Sequence, residues 1–206
     1  MATHSIEHGD KTRTTARKAK ADAIAKARAI APSVAARIGS TPTTRYRGDP
    51  GIFGRLVEDH DHHRALLAMI EETQGKSPDR QALFTALVRE VKAHAAAEEQ
   101  ALWSTVLRNP ETTEDARHAI AEHKELDDML ADLAARDMAS PGWLRRFAGL
   151  KEEYLHHVGE EEQEQFVAAE NILSPGDIRY MRRVFNRRKK AEKAAAKVEK
   201  KISYKD

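Results

Sequence analysis

In the stretch VKAHAAAEEQALW, Val91 to Trp103, a histidine and a glutamate stand four residues apart, His94 and Glu98. On an α-helix that spacing projects both side chains from one face. Leu87, Val91 and Leu102 belong to the same stripe, so an imidazole and a carboxylate point toward apolar surroundings. Taken singly the pair is ordinary, since helices carry many solvated His–Glu pairs. Its weight comes from repetition. A shift of 63 residues lays the chain on itself without a gap. His60 then falls on His123, Leu87 on Leu150, Glu90 on Glu153, His94 on His157, Glu98 on Glu161, Glu99 on Glu162, Gln100 on Gln163 and Trp103 on Phe166. Two copies of one helical hairpin are written into the chain, and such repeats bury their apolar faces against each other.

The matched polar residues on the core side are His60, His94, Glu98, His123, His157 and Glu161. Left unpaired in an apolar core, six such groups would cost several kcal/mol each, as an order of magnitude. Metal ions remove that cost. Imidazole and carboxylate without thiolate suit iron, manganese or zinc. Six ligands exceed one tetrahedral zinc and are the wrong set for a magnesium or calcium cage. They suit a pair of metals, each taking two histidines, with Glu98 and Glu161 bridging both. A solvent-derived bridge would leave each metal with an open place for a small ligand.

The elements that position these residues follow from the turn signals. Ser77-Pro78, Ser140-Pro141 and Ser174-Pro175 read as helix starts, with serine as N-cap and proline in the first turn. Helices are expected over about 52–73, 78–107, 113–136 and 141–171, with Pro110 blocking continuation of the second. The first carries the stripe Phe53, Leu56, His60, His63, Leu67, Ile70, and the third Ala116, Ile120, His123, Leu126, Leu130, Leu133. Strand signals are nearly absent. Short connections make successive helices antiparallel neighbours, so the fold class is all-α, an up-down-up-down four-helix bundle. The expected units are a basic N-terminal arm and linker at 1–50, the bundle at 51–172, and a basic C-terminal helix and tail at 173–206. Within the first arm a helix over about 14–30 is expected to break at Pro32.

Charge is divided in the same way. Residues 1–50 carry a net +6, residues 181–206 a net +8, and residues 51–180 a net −12. The basic arms could contact nucleic acid, a membrane surface or a protein partner, or pack against the acidic body. The absence of cysteine excludes disulfides and thiolate metal sites. No apolar run approaches the ~20 residues that span a bilayer. No secretory signal is evident at the N-terminus, and a cytoplasmic protein is expected.

With those residues in place, the chain resembles the hemerythrin HHE cation-binding family over about residues 50–171. The resemblance rests on EDH at His60, HAAAEE at His94 and Glu98, EH at His123, and HVGEEE at His157 and Glu161. It implies a non-haem di-iron centre, two Fe ions with Glu98 and Glu161 bridging, ahead of manganese or zinc. It also implies O2, NO or peroxide as the small partner, in sensing, stress protection or iron handling. Peroxide or NO chemistry would use the same open positions, although binding is favoured over catalysis. Trp103-Ser104 and Phe166-Val167 stand where the family often has Phe-Pro. Ferritin-like bundles instead use Glu-x-x-His, the reverse order at a different spacing.

Two further residues share the stripe. His63, one turn beyond His60, is a candidate fifth histidine ligand. Tyr154, one turn before His157, is a candidate partner from the surrounding layer. His62 and His156 lie out of register, and Glu99 and Glu162 are expected to face outward or to support the ligands. A second reading makes the bundle a metal-responsive interaction module acting through its arms.

Overall fold

The computed structural model describes residues 6–37, 45–73 and 78–195. Helix α1 covers Ile6–Arg37 and α2 covers Ile52–Glu71. Helix α3, Pro78–Glu98, passes through a π-helical turn at Glu99–Trp103 into α4, Ser104–Val106. Helix α5 covers Thr113–Ala135. Helix α6, Trp143–Glu160, passes through a second π turn at Glu161–Gln165 into α7, Phe166–Ile172. Helix α8 covers Pro175–Ala195. No described residue is in a strand.

Four rods form the bundle: α2, α3 with α4, α5, and α6 with α7. Helix α2 packs on α3 and α6, and α5 packs on α3 and α6, which closes the ring. The expected stripes face inward: Phe53, Leu56, His60, His63, Leu67 and Ile70 are all buried, as are Ala116, His123, Leu126, Leu130 and Leu133. The apolar interior falls into two clusters. One holds Leu67, Ile70, Phe84, Leu130, Trp143 and Phe147. The other holds Phe53, Leu56, Trp103, Phe166, Met181 and Phe185. The histidines and glutamates lie between them.

Ser174 caps α8 as a reciprocal box, its hydroxyl accepting from Asp177 N at 3.1 Å while Asp177 Oδ2 accepts from Ser174 N at 3.3 Å. The turn before α2 depends on Gly54, where a Cβ would lie 2.1 Å from the Asp49 carbonyl oxygen. That close approach tucks Tyr46 against Phe53, with ring centroids 5.0 Å apart.

The N-terminal arm departs from one expectation. Helix α1 does not stop at Pro32 but runs on to Arg37. Proline weakens a helix interior by removing one hydrogen bond. Burial of Ala27, Ala31, Val34 and Ala35 on both sides of it, where α1 packs on α2 and α3, outweighs that local cost. The C-terminal helix is docked on the bundle within its described length. It lies along α3 and α2 and buries Met181, Phe185 and Lys189. The two arms therefore cover the first hairpin.

Candidate metal centre

Each rod supplies one histidine from mid-length: His60 from α2, His94 from α3, His123 from α5 and His157 from α6. Glu98 ends α3 and Glu161 opens the second π turn. All six are buried, the two glutamates completely. The ring Nε2 atoms converge. His60 Nε2 lies 3.2 Å from His94 Nε2 and 3.4 Å from Glu161 Oε2. Glu98 Oε2 lies 3.3 Å from His94 Nε2 and 3.5 Å from His123 Nε2. Glu161 Oε1 lies 3.5 Å from His157 Nε2 and 4.0 Å from His123 Nε2. Each glutamate thus reaches histidines of both hairpins. The histidines pair within hairpins, His60 with His94 and His123 with His157, each at a 4.9 Å ring separation.

The outward nitrogens explain why Nε2 points in. His60 Nδ1 lies 2.8 Å from Glu162 Oε1, and His94 Nδ1 lies 3.1 Å from Asp59 Oδ2. His123 Nδ1 lies 3.0 Å from Glu99 Oε1, and His157 Nδ1 lies 2.9 Å from Glu122 Oε2. An ionised carboxylate only accepts, so each Nδ1 carries the proton and donates it. A neutral ring then turns an unprotonated Nε2 to the interior. This carboxylate–imidazole arrangement fixes tautomer and ring orientation, as around metal-bound histidines generally.

These four outer carboxylates obey the same 63-residue repeat, Asp59 with Glu122 and Glu99 with Glu162. The π turns place Glu99 and Glu162. A π turn is wider than an α turn, so consecutive side chains diverge less around the axis. Glu98 and Glu99 can then both serve the interior, as can Glu161 and Glu162.

The interior is left with acceptors facing acceptors. Both oxygens of Glu98, both oxygens of Glu161 and Nε2 of His123 are buried without a hydrogen bond. Burial opposes charge on Glu98, but His94 and His123 outweigh it and hold its carboxyl low. Burial, reinforced by Glu98, Glu162 and Glu122, pushes Glu161 well above the carboxylate range. Burial also opposes charge on His123, yet Glu98 and Glu99 outweigh it and raise the ring to about 9. Burial pulls His157 down to about 4. Positive charge is therefore demanded at this level of the bundle, by protons if by nothing else. The donor set, four imidazoles and two carboxylates with the ligand atoms of His123, His157 and Glu161 within 4.8 Å of one another, fits cations there.

The sequence model of the Hemerythrin HHE cation binding domain family matches residues 52–169, more than half of the chain. The chain belongs to the hemerythrin HHE cation-binding family. No curated protein matches it. Among solved structures, a hemerythrin HHE cation binding domain-containing protein from Mycobacterium kansasii superposes with a TM-score of 0.63 at 21% identity, covering 70% of this chain and 88% of that one. That likeness is one of fold.

This HHE domain carries residues beyond the six that sequence reasoning placed on the stripe. His63 is fully buried, its Nδ1 hydrogen-bonded to the Tyr154 hydroxyl and its Nε2 without a partner. The two candidates that the sequence offered separately are thus one unit. His62 is only half-buried on the far side of α2, and His156 is exposed. Asp59 and Glu122 escaped the sequence reading, although the repeat contains both. The basic C-terminal helix also reaches the site. Lys189 Nζ pairs with Asp59 Oδ2, the atom that holds His94, and lies 3.4 Å from Glu90 Oε2. Arg55 Nη1 holds the other Asp59 oxygen at 2.5 Å. Burial opposes ionisation of Asp59, but Lys189, His94 and Arg55 together keep it well below the usual range. A cleft of about 430 Å³ between α3 and α5, lined by Val91, Glu99, Ile120 and His123 among others, opens the far side of the site toward solvent.

Proposed function

We propose that the chain is a non-haem di-iron protein that binds a small ligand, O2, NO or peroxide. The observation that carries this is the inward ring of unpartnered acceptors, the Glu98 and Glu161 oxygens and His123 Nε2, between two apolar clusters. In this reading His60 and His94 serve one iron and His123 and His157 the other. Glu98 and Glu161 would be shared between them, since each approaches histidines of both hairpins. When bound, the metal pair supplies redox and Lewis-acid chemistry toward a small oxygen- or nitrogen-containing ligand.

The chain's own residues do the rest. Glu162, Asp59, Glu99 and Glu122 hold the four rings by their Nδ1 protons. Leu56, Phe166 and Trp103 on one side, and Leu67 and Val158 on the other, keep bulk water out. The α3–α5 cleft is the route by which a diatomic ligand reaches His123. His63 is the candidate fifth histidine, supported by its unpartnered buried Nε2, with Tyr154 setting its orientation. Sensing, protection from oxidative or nitrosative stress, or iron handling are the roles that ligand binding would serve, inside the cell.

Iron loading of the metal-free chain under anaerobic conditions, followed by exposure to air, NO or peroxide with an optical readout, tests the reading. Ligand-dependent bands from a two-iron protein are expected. A protein that takes up iron but shows no response to any of the three would retire the small-ligand role. His63→Ala should shift those bands if His63 is a ligand. A second reading, an interaction module that binds a polyanion, has support in the outward-facing Arg183, Arg187, Arg188 and Lys190 of α8. Salt-sensitive binding lost on reversing those charges would favour it.

A further inference from the structure

The repeat that relates the two hairpins is broken around one of the outer carboxylates. In the first hairpin the outer carboxylate Asp59 is neutralised by two permanent cations, Arg55 and Lys189. Its mate Glu122 does the same work, holding His157 Nδ1 at 2.9 Å. Yet among the described residues no lysine or arginine pairs with Glu122. The repeat mate of Arg55 is His118, and among the described residues the covering helix α8 has no counterpart on this side.

What surrounds Glu122 is a set of metal-ligating groups. His118 and Glu122 are four apart on α5, with His118 Nε2 3.5 Å from Glu122 Oε1. His156 and Glu160 are four apart on α6, with His156 Nε2 3.3 Å from Glu160 Oε1. The two helices face each other, and His118 Nε2 lies 3.1 Å from Glu160 Oε2. Ligand atoms of His118, Glu122 and Glu160 all lie within 4.8 Å of one another. Their repeat mates on the first hairpin are Arg55, Asp59 and Ala97, and the mate of His156 is Ala93, so only the second hairpin carries this set.

We infer that His118, Glu122 and Glu160, with His156 beside Glu160, form a second, peripheral site for one divalent transition-metal cation. Two carboxylates with no lysine or arginine paired to them among the described residues attract a positive charge, and an imidazole donor favours a transition metal over calcium or magnesium. A cation here does for Glu122 and His157 what Arg55 and Lys189 do for Asp59 and His94. His118 and His156 are exposed, so the site loads from solvent without passing through the bundle. Unlike the buried centre, it exchanges readily.

The test is equilibrium dialysis of the iron-loaded full-length protein against Zn2+, with zinc and iron counted separately. One zinc per chain beyond the buried metal is expected. His118→Ala and Glu160→Gln should each weaken zinc binding by about tenfold or more, in the range typical of metal-site substitutions, with iron content unchanged. Both replacements are at the surface and leave the core intact, and His62→Ala serves as the control. No additional zinc, or undiminished zinc binding in both variants, overturns the site, as does loss of zinc in the His62 control. The iron count reports on the buried centre independently, so failure of one site is distinguishable from failure of the other.

Discussion

At the scale of single residues, what is unusual is the direction of the lone pairs. Glu98 and Glu161 are completely buried, and none of their four oxygens accepts a hydrogen bond. Removing either should lose most of the paired metal, because each approaches histidines of both hairpins. Metal content of Glu98→Ala and Glu161→Ala, counted after loading, checks this, and full loading of both would remove the glutamates from the site. His62→Ala should leave the content unchanged. For the outer carboxylates the expected effect is smaller. Asp59→Asn or Glu122→Gln keeps the shape but weakens the hold on His94 or His157, and iron affinity should fall roughly 10–100-fold, measured by chelator competition. The six inner residues were legible because side chains four apart share a helix face and the shift of 63 repeats them. Asp59 and Glu122 were not. The residue before an inward histidine points about a quarter-turn away, which reads as outward along one helix, and only packing shows that it meets the histidine of the next rod.

At the scale of elements, the helix starts at Pro78, Thr113 and Pro175 follow from local chemistry and were readable. The π turns were not, because nothing in EQALW or EEQEQ differs in propensity from an α-helix. They arise where two adjacent glutamates must both serve the interior. The extent of α1 past Pro32 was likewise unreadable, since it is decided by tertiary burial rather than by the segment itself, whereas packing of α8 against the acidic body was one of the placements its charge left open. A low-complexity basic run reads as solvated, yet its Lys189 is buried with Met181 and Phe185 against the bundle. Lys189→Met should cost on the order of 3 kcal/mol, the low end for breaking a buried pair, because Arg55 still holds Asp59. The lost stability is readable by denaturant unfolding, and iron should dissociate faster as His94 loses its anchor. Unchanged stability and iron retention would make the lysine incidental.

At the scale of the whole molecule, a pseudo-twofold bundle has been made one-sided. The acidic middle of the chain and its basic flanks are complementary, and α1 and α8 cover the first hairpin while the second faces solvent. The charge asymmetry was visible in the sequence, but not that two of its C-terminal lysines, Lys189 and Lys193, pair with Asp59 and Glu90 of the bundle. Ending the chain at residue 173 should therefore do more than trim a tail. It uncovers the surface that Met181 and Phe185 bury, and a Phe removed from a core typically costs about 3–5 kcal/mol. A shortened chain that melts and holds iron as the full one does would place the covering helix outside the site's support. None of the described helices is long and apolar enough to cross a membrane. The central claim, a paired metal centre between the two apolar clusters, is tested most directly by metal content per chain on protein made in iron-supplemented medium, read with an optical spectrum in air. Two irons with near-ultraviolet oxo-bridge absorption are predicted. A chain that holds no metal, and takes up none when the metal-free protein is given ferrous iron anaerobically, would contradict it.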